Sequence, residues 1–143
     1  MAKSLWNDNL SVGVDTIDDQ HKMLLKNLAE LSEAVEGHSG PSEIATTLDF
    51  LVDYTDFHFG TEEKHMKAND YPEYEQHLAM HSQFKTTLAN LGEDFQEEGA
   101  TPALAEAINT LLINWFLKHI EVVDQKLGAF FTEKGVVVTE EKA

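Results

Sequence analysis

His77 and His81, in "HLAMH", stand four residues apart, a spacing that places two imidazoles on one face of a helix and recurs at many metal sites. The stretch "WFLKHIEVVD" (115–124) poses a harder question. Its His119 and Asp124 are five residues apart, and at about 100° per residue a regular helix would set them roughly 140° from each other. Either one of the two is a surface residue, or the helix is disturbed so that both turn inward. Earlier in the chain, His21 in "DDQHK" and His58 with Glu62 in "HFGTE" offer the same donor types. The chemistry these residues share is cation coordination by imidazole nitrogen and carboxylate oxygen. Thiolate sites, disulfides and cysteine catalysis are excluded, because the chain has no cysteine.

Such residues act together only if the fold brings them together. Turn-forming clusters at "EGHSGPS" (36–42), "KANDYPE" (67–73) and "EEGATP" (97–102) divide the chain into four segments of about 18–26 residues. None shows sustained strand alternation. Pro72 and Pro102 suit the first turn of a helix, and Thr101 suits the cap before Pro102. Short connections between long helices make sequential neighbours antiparallel. The sequence therefore predicts an all-α, up-down-up-down antiparallel four-helix bundle. One domain spans 1–143, with an N-terminal arm (1–16) and a loosely held tail (132–143).

The apolar stripes of the four helices say where the chemistry collects. The first runs His21, Leu24, Leu25, Leu28, Leu31, Val35. The second runs Ile44, Leu48, Leu51, Thr55, His58, Glu62. The third runs Tyr74, His77, His81, Phe84, Leu88, Leu91, Phe95, and the fourth Leu104, Ile108, Leu111, Trp115, His119. In antiparallel order the polar members fall at the start of helix one, the end of two, the start of three and the end of four. Those are one end of the bundle. A buried carboxylate needs a compensating charge, and the nearby cations Lys64 and Lys118 lie off the stripes, so a metal supplies it. One histidine on an apolar face is more often a hydrogen-bonded core residue than a ligand, but five in one layer are not explained that way. His38, in a Gly-rich turn, and His65, off the stripe, read as surface residues, and the acid runs at 93–98 and 140–143 as solvated faces.

The charge balance agrees with a cation ligand. With 26 acidic and 10 basic residues the formal charge is −16, which argues against nucleic acid and anionic membrane as partners. The N-terminus lacks the apolar core of a secretion signal, and no run reaches the ~20 residues of a membrane span. A cytoplasmic protein is the expectation, and no protein partner is indicated.

Five imidazoles exceed the four ligands of a structural zinc site, and all-oxygen ligation by magnesium or calcium does not fit. The zinc protease motif His-Glu-x-x-His is absent, since Phe59 follows His58. Imidazole with carboxylate suits iron among other metals, and two metals bridged by carboxylates would use every donor. A ferritin-like bundle would need two Glu-x-x-His strings, and only "EEKH" (62–65) is present.

Taken together, "DDQHK" (18–22), "HFGTEEKHM" (58–66), "HLAMH" and "HIEVVD" (119–124) resemble the hemerythrins, in particular the single-domain bacteriohemerythrins, from about Leu5 to Phe131. The resemblance implies a four-helix bundle around a non-haem di-iron centre that binds dioxygen reversibly. It implies that His77, His81 and His119 hold one iron, His21 and His58 the other, and that Glu62, Asp124 and a hydroxo or oxo group bridge them. Asp124 then faces inward, and a π-type bulge or local break after His119 would turn it there. Counted over two six-coordinate irons, this set leaves one open position, on the iron with two histidines. There the family mechanism binds oxygen as hydroperoxide. Phe59, Trp115, Phe116 and Ile120 would wall the oxygen pocket. Phe116 stands where the family often has leucine, and Leu127 where tyrosine is common. Carriage, storage or local sensing of oxygen is the leading reading. A di-iron enzyme or stress protein handling peroxide, nitric oxide or iron for repair is the alternative, and a metal-free interaction bundle a third.

Overall fold

The computed structural model describes residues 5–37 and 40–138. Three long helices, α1 (Asp15–Glu36), α2 (Pro41–Ala68) and α3 (Tyr74–Glu98), are followed by a fourth helical run over 102–134. α1 packs on α2 and on the fourth helix, and α3 packs on α2 and on the fourth helix, which closes an antiparallel ring of four. Among the described residues no helix is long and apolar enough to cross a membrane.

The expected stripes of α1 and α2 are buried throughout, and that of α3 from His77 to Phe95. Tyr74, at the start of the α3 stripe, is only half-buried. Thr101 caps the fourth helix by accepting a hydrogen bond from the Leu104 amide, with Pro102 in the first turn. Pro72 does not enter α3. It lies in the preceding turn, and the helix starts at Tyr74.

The fourth helix departs most from a 3.6-residue reading. Two π-helical stretches, Ile108–Ile113 and His119–Asp124, alternate with α-helical ones. Each wide turn takes in an extra residue and rotates everything after it. Leu111, expected in the core, is therefore 48% exposed, and Leu112 takes its place at 0%. The second stretch turns Asp124 inward to 1% exposure, five residues after His119 at 4%. His119 and Asp124 are thus both buried, and the helix between them is what is disturbed.

The termini are better held than their composition suggests. Asp15 and Thr16, read as arm, already belong to α1. Asp18 then anchors the chain before them, accepting hydrogen bonds from Ser11 Oγ at 2.6 Å and from the Val12 amide at 2.9 Å. Val12 lies directly on Gly128, where any Cβ would collide with the Val12 carbonyl. The tail is helical to Lys134, Val138 is buried, and Thr16 donates to its carbonyl at 2.9 Å. Of the apolar "VVV", Val138 and in part Val136 reach the core while Val137 is 78% exposed, and 139–143 lies outside the described residues. His38 also lies outside them. His65 is half-buried rather than on the surface, with Nδ1 2.8 Å from the Thr61 carbonyl and its ring against Phe131.

Candidate metal centre

Four helices deliver one histidine or more each to a single buried layer. α1 gives His21, α2 gives His58 and Glu62 one turn apart, α3 gives His77 and His81, and the fourth helix gives His119 and Asp124. None of the seven exceeds 4% exposure. All seven residues named from the sequence meet here.

The distances divide them into two sets. His77 and His81 place Nε2 at 3.2 and 3.1 Å from Glu62 Oε1, and His77 and His119 place theirs at 3.1 and 3.3 Å from Asp124 Oδ1. On the other side, His58 and His21 lie 3.2 and 3.6 Å from Glu62 Oε2, and His21 lies 3.0 Å from Asp124 Oδ2. Each carboxylate thus turns one oxygen to the set of His77, His81 and His119 and the other oxygen to the set of His21 and His58. Glu62 and Asp124 belong to both candidate cation-binding groups.

The donor atoms fit cations better than they fit one another. The five Nε2 atoms and all four oxygens of Glu62 and Asp124 are buried without a well-formed hydrogen bond. Leaving so many polar atoms unpaired would cost about 1–3 kcal/mol each. Ligands at right angles on a centre with bonds of about 2.1 Å stand about 3 Å apart, which is the spacing seen.

Without a cation, protons balance the charge. Burial depresses the His21 imidazole, but the adjacent Asp124 and Glu62 oxygens outweigh it and raise it to about 9. The same contest pushes His77 up to about 10 and also raises His81. At His58 burial prevails over Glu62, and the ring is pushed down. Burial works to raise both carboxyls, yet the facing imidazoles hold Glu62 and Asp124 well below the usual range.

Outer contacts orient the ligands. His58 Nδ1 lies 2.7 Å from Gln20 Oε1, and His81 Nδ1 lies 2.8 Å from Glu63 Oε2. Neither partner was named from the sequence. Their only signal there is adjacency to His21 and Glu62. The four expected pocket residues divide. The Phe116 ring meets His21 and His58 edge-on, at 5.5 and 6.4 Å between centroids. Phe59 stacks on His81 at 3.7 Å, and half-buried Trp115 stacks on His119 at 4.7 Å. Ile120 is fully buried. Leu127 is likewise buried in the core.

A histidine-rich layer at one end of a four-helix bundle, with two carboxylates shared between two candidate groups, defines a cation-binding bundle. The family profile described as "Hemerythrin HHE cation binding domain" matches residues 12–131. A bacteriohemerythrin of Stenotrophomonas maltophilia is 32% identical over 125 residues, covering 87% of this chain and 79% of that protein. A bacteriohemerythrin of Pseudomonas aeruginosa is 32% identical over 84% of this chain and 76% of its own. A myohemerythrin of Theromyzon tessulatum is 28% identical over 85% and 88%. Among solved structures, a hemerythrin leucine-to-alanine variant superposes with a TM-score of 0.77 at 28% identity, covering 90% of this chain and 97% of the other. The chain belongs to the hemerythrin family.

Proposed function

We propose that this chain, as a single domain, binds dioxygen reversibly at a non-haem di-iron centre. His77, His81 and His119 would hold one iron, His21 and His58 the other, and Glu62 and Asp124 both. One observation carries the reading: each carboxylate turns one oxygen to each histidine set. Family membership supports iron and oxygen as the metal and the ligand. An iron pair held by these residues would supply the two electrons that dioxygen binding requires.

The chain's own residues do the rest. Glu62 and Asp124 neutralise charge in a layer closed to water. The Phe116 ring, edge-on to both His21 and His58, makes the two-histidine side narrow and apolar, which suits a small neutral gas better than water. Phe59 and Trp115 hold the imidazole planes of His81 and His119 by stacking, with Ile120 filling the core beside them. Oxygen carriage, storage or local sensing in the cytoplasm, by a binding protein rather than an enzyme, completes the reading.

The test is an anaerobic-to-air optical titration of iron-loaded protein. The expected outcome is a visible band that forms in air and disappears under inert gas. Sustained turnover with a reductant and peroxide, in place of reversal, would assign the centre to enzymatic peroxide handling instead.

A further inference from the structure

We propose that Gln20 and Glu63 are positioning residues that make the two cation positions electronically unequal. A neutral amide backs the two-histidine position, and an anionic carboxylate backs the three-histidine one. Both contacts are short, 2.7 Å from His58 Nδ1 to Gln20 Oε1 and 2.8 Å from His81 Nδ1 to Glu63 Oε2. An amide oxygen and a carboxylate oxygen can only accept, so both Nδ1 atoms carry the hydrogen. With Nδ1 held by its outer partner, Nε2 is the nitrogen of each ring that faces the layer, and it binds a cation once any proton on it is displaced. The two imidazoles are oriented as ligands before a cation arrives. Among the described residues, the Nδ1 atoms of His21 and His77 have no such partner.

The partners differ in charge. A carboxylate draws on the N–H more strongly than an amide carbonyl does, and so pushes more electron density onto the far nitrogen. The three-histidine position therefore receives the more basic donor as well as the larger number of donors. It is the position built to hold the higher metal charge, while the two-histidine position stays electron-poor. Burial explains why the amide stands where it does. Gln20 is fully buried, and a third carboxylate beside Glu62 and Asp124 would be desolvated without a counter-charge. The Glu63 side chain keeps 21% of its surface exposed and stays solvated.

The inference rests on the two-cation reading, and the experiment separates the two. Cobalt(II) is titrated into full-length protein against a chelator, and the potential of the iron-loaded protein is measured separately. Glu63→Leu should weaken one of two cobalt affinities roughly 10–100-fold, and Gln20→Leu the other. Glu63→Gln keeps a hydrogen bond, so it should restore most of the affinity while raising the reduction potential. Gln20→Glu should lower that potential. In metal-free protein, at a pH high enough for the ring to be neutral, ¹⁵N shifts of His81 should show the Nδ1–H tautomer in the unaltered chain and in Glu63→Gln, and lose it in Glu63→Leu. If the leucine variants do not fold, the part-exposed and nearly isosteric Glu63→Gln carries the test. Fewer than two cobalt ions on the unaltered protein defeats the two-cation reading. Two ions, with a potential indifferent to residues 20 and 63, defeats this inference alone.

Discussion

The two ends of the bundle are built from the same four helices and held by opposite means. At one end Leu28, Leu31, Leu51, Leu88, Ile108 and Leu112 are all buried to 2% exposure or less. Their stability comes from water excluded, at roughly 25 cal/mol per Å² of apolar surface. At the other end five imidazoles and two carboxylates are equally buried, and nine of their inward atoms lack a well-formed hydrogen bond. That end gains little from burial and is completed by a ligand. A protein of this kind is stable because of one end and functional because of the other. The boundary lies where Phe84 and Phe116 pack against each other, at 5.9 Å between ring centroids.

Breaking the polar end should have the largest functional effect. His58→Ala leaves one histidine on the two-histidine side, so iron content should fall from two per chain toward one and reversible oxygen binding should be lost. His77→Ala leaves two histidines on its side and should retain both irons with altered spectra. Metal analysis beside optical titration checks both. Equal iron loss in the two variants would contradict the unequal division of donors.

Breaking the apolar end should reverse the pattern. Leu112→Ala removes a fully buried side chain and should cost about 2–5 kcal/mol in denaturant unfolding, while folded protein still loads two irons. A variant that loses iron without losing stability would show that the two ends are not separable in this way.

The ends should also answer pH differently. In metal-free protein His21 and His77 are raised to about 9 and about 10. Their contribution to stability is complete below the unfolded value near 6.5 and is lost as pH rises through 9 to 10. Glu62 and Asp124 are depressed, so their contribution is present above the ordinary carboxylate range and lost as pH falls through their lowered values. His58, pushed down by burial, opposes folding as pH falls below about 6.5, so the layer favours the metal-free fold most toward the upper end of the range between about pH 4.5 and 6.5. Iron requires neutral imidazoles, so loading should release protons at neutral pH and move the stability optimum upward. Thermal melts of both forms from pH 4 to 10 measure this, and identical profiles would refute it.

The smallest effect sharpens the register of the fourth helix. Leu111→Ala should change stability by less than about 0.5 kcal/mol, against the large loss at Leu112. Comparable losses at the two positions would mean that the π-helical turn at Ile108–Ile113 does not persist in solution.

Much of this molecule could be read from its residues. Helix-period stripes, broken by three turn clusters, imply four helices. Short connections then put the polar ends of all four stripes in one layer, so six of the seven candidate ligands, His21, His58, Glu62, His77, His81 and His119, follow from periodicity and connectivity alone. What periodicity cannot carry is an inserted residue. A π-helical turn has no propensity of its own, and it forms where packing on both sides requires it. Hence Leu112 rather than Leu111 fills the core, and the inward turn of Asp124 was implied by resemblance rather than by spacing. The outer partners Gln20 and Glu63 were equally hidden, because each reaches a histidine on another helix. The order of residues determined which side chains could meet at one end of the bundle. The rotation of one helix and the direction of each carboxylate oxygen were decided only when the four helices packed, since those depend on contacts between segments far apart in the chain.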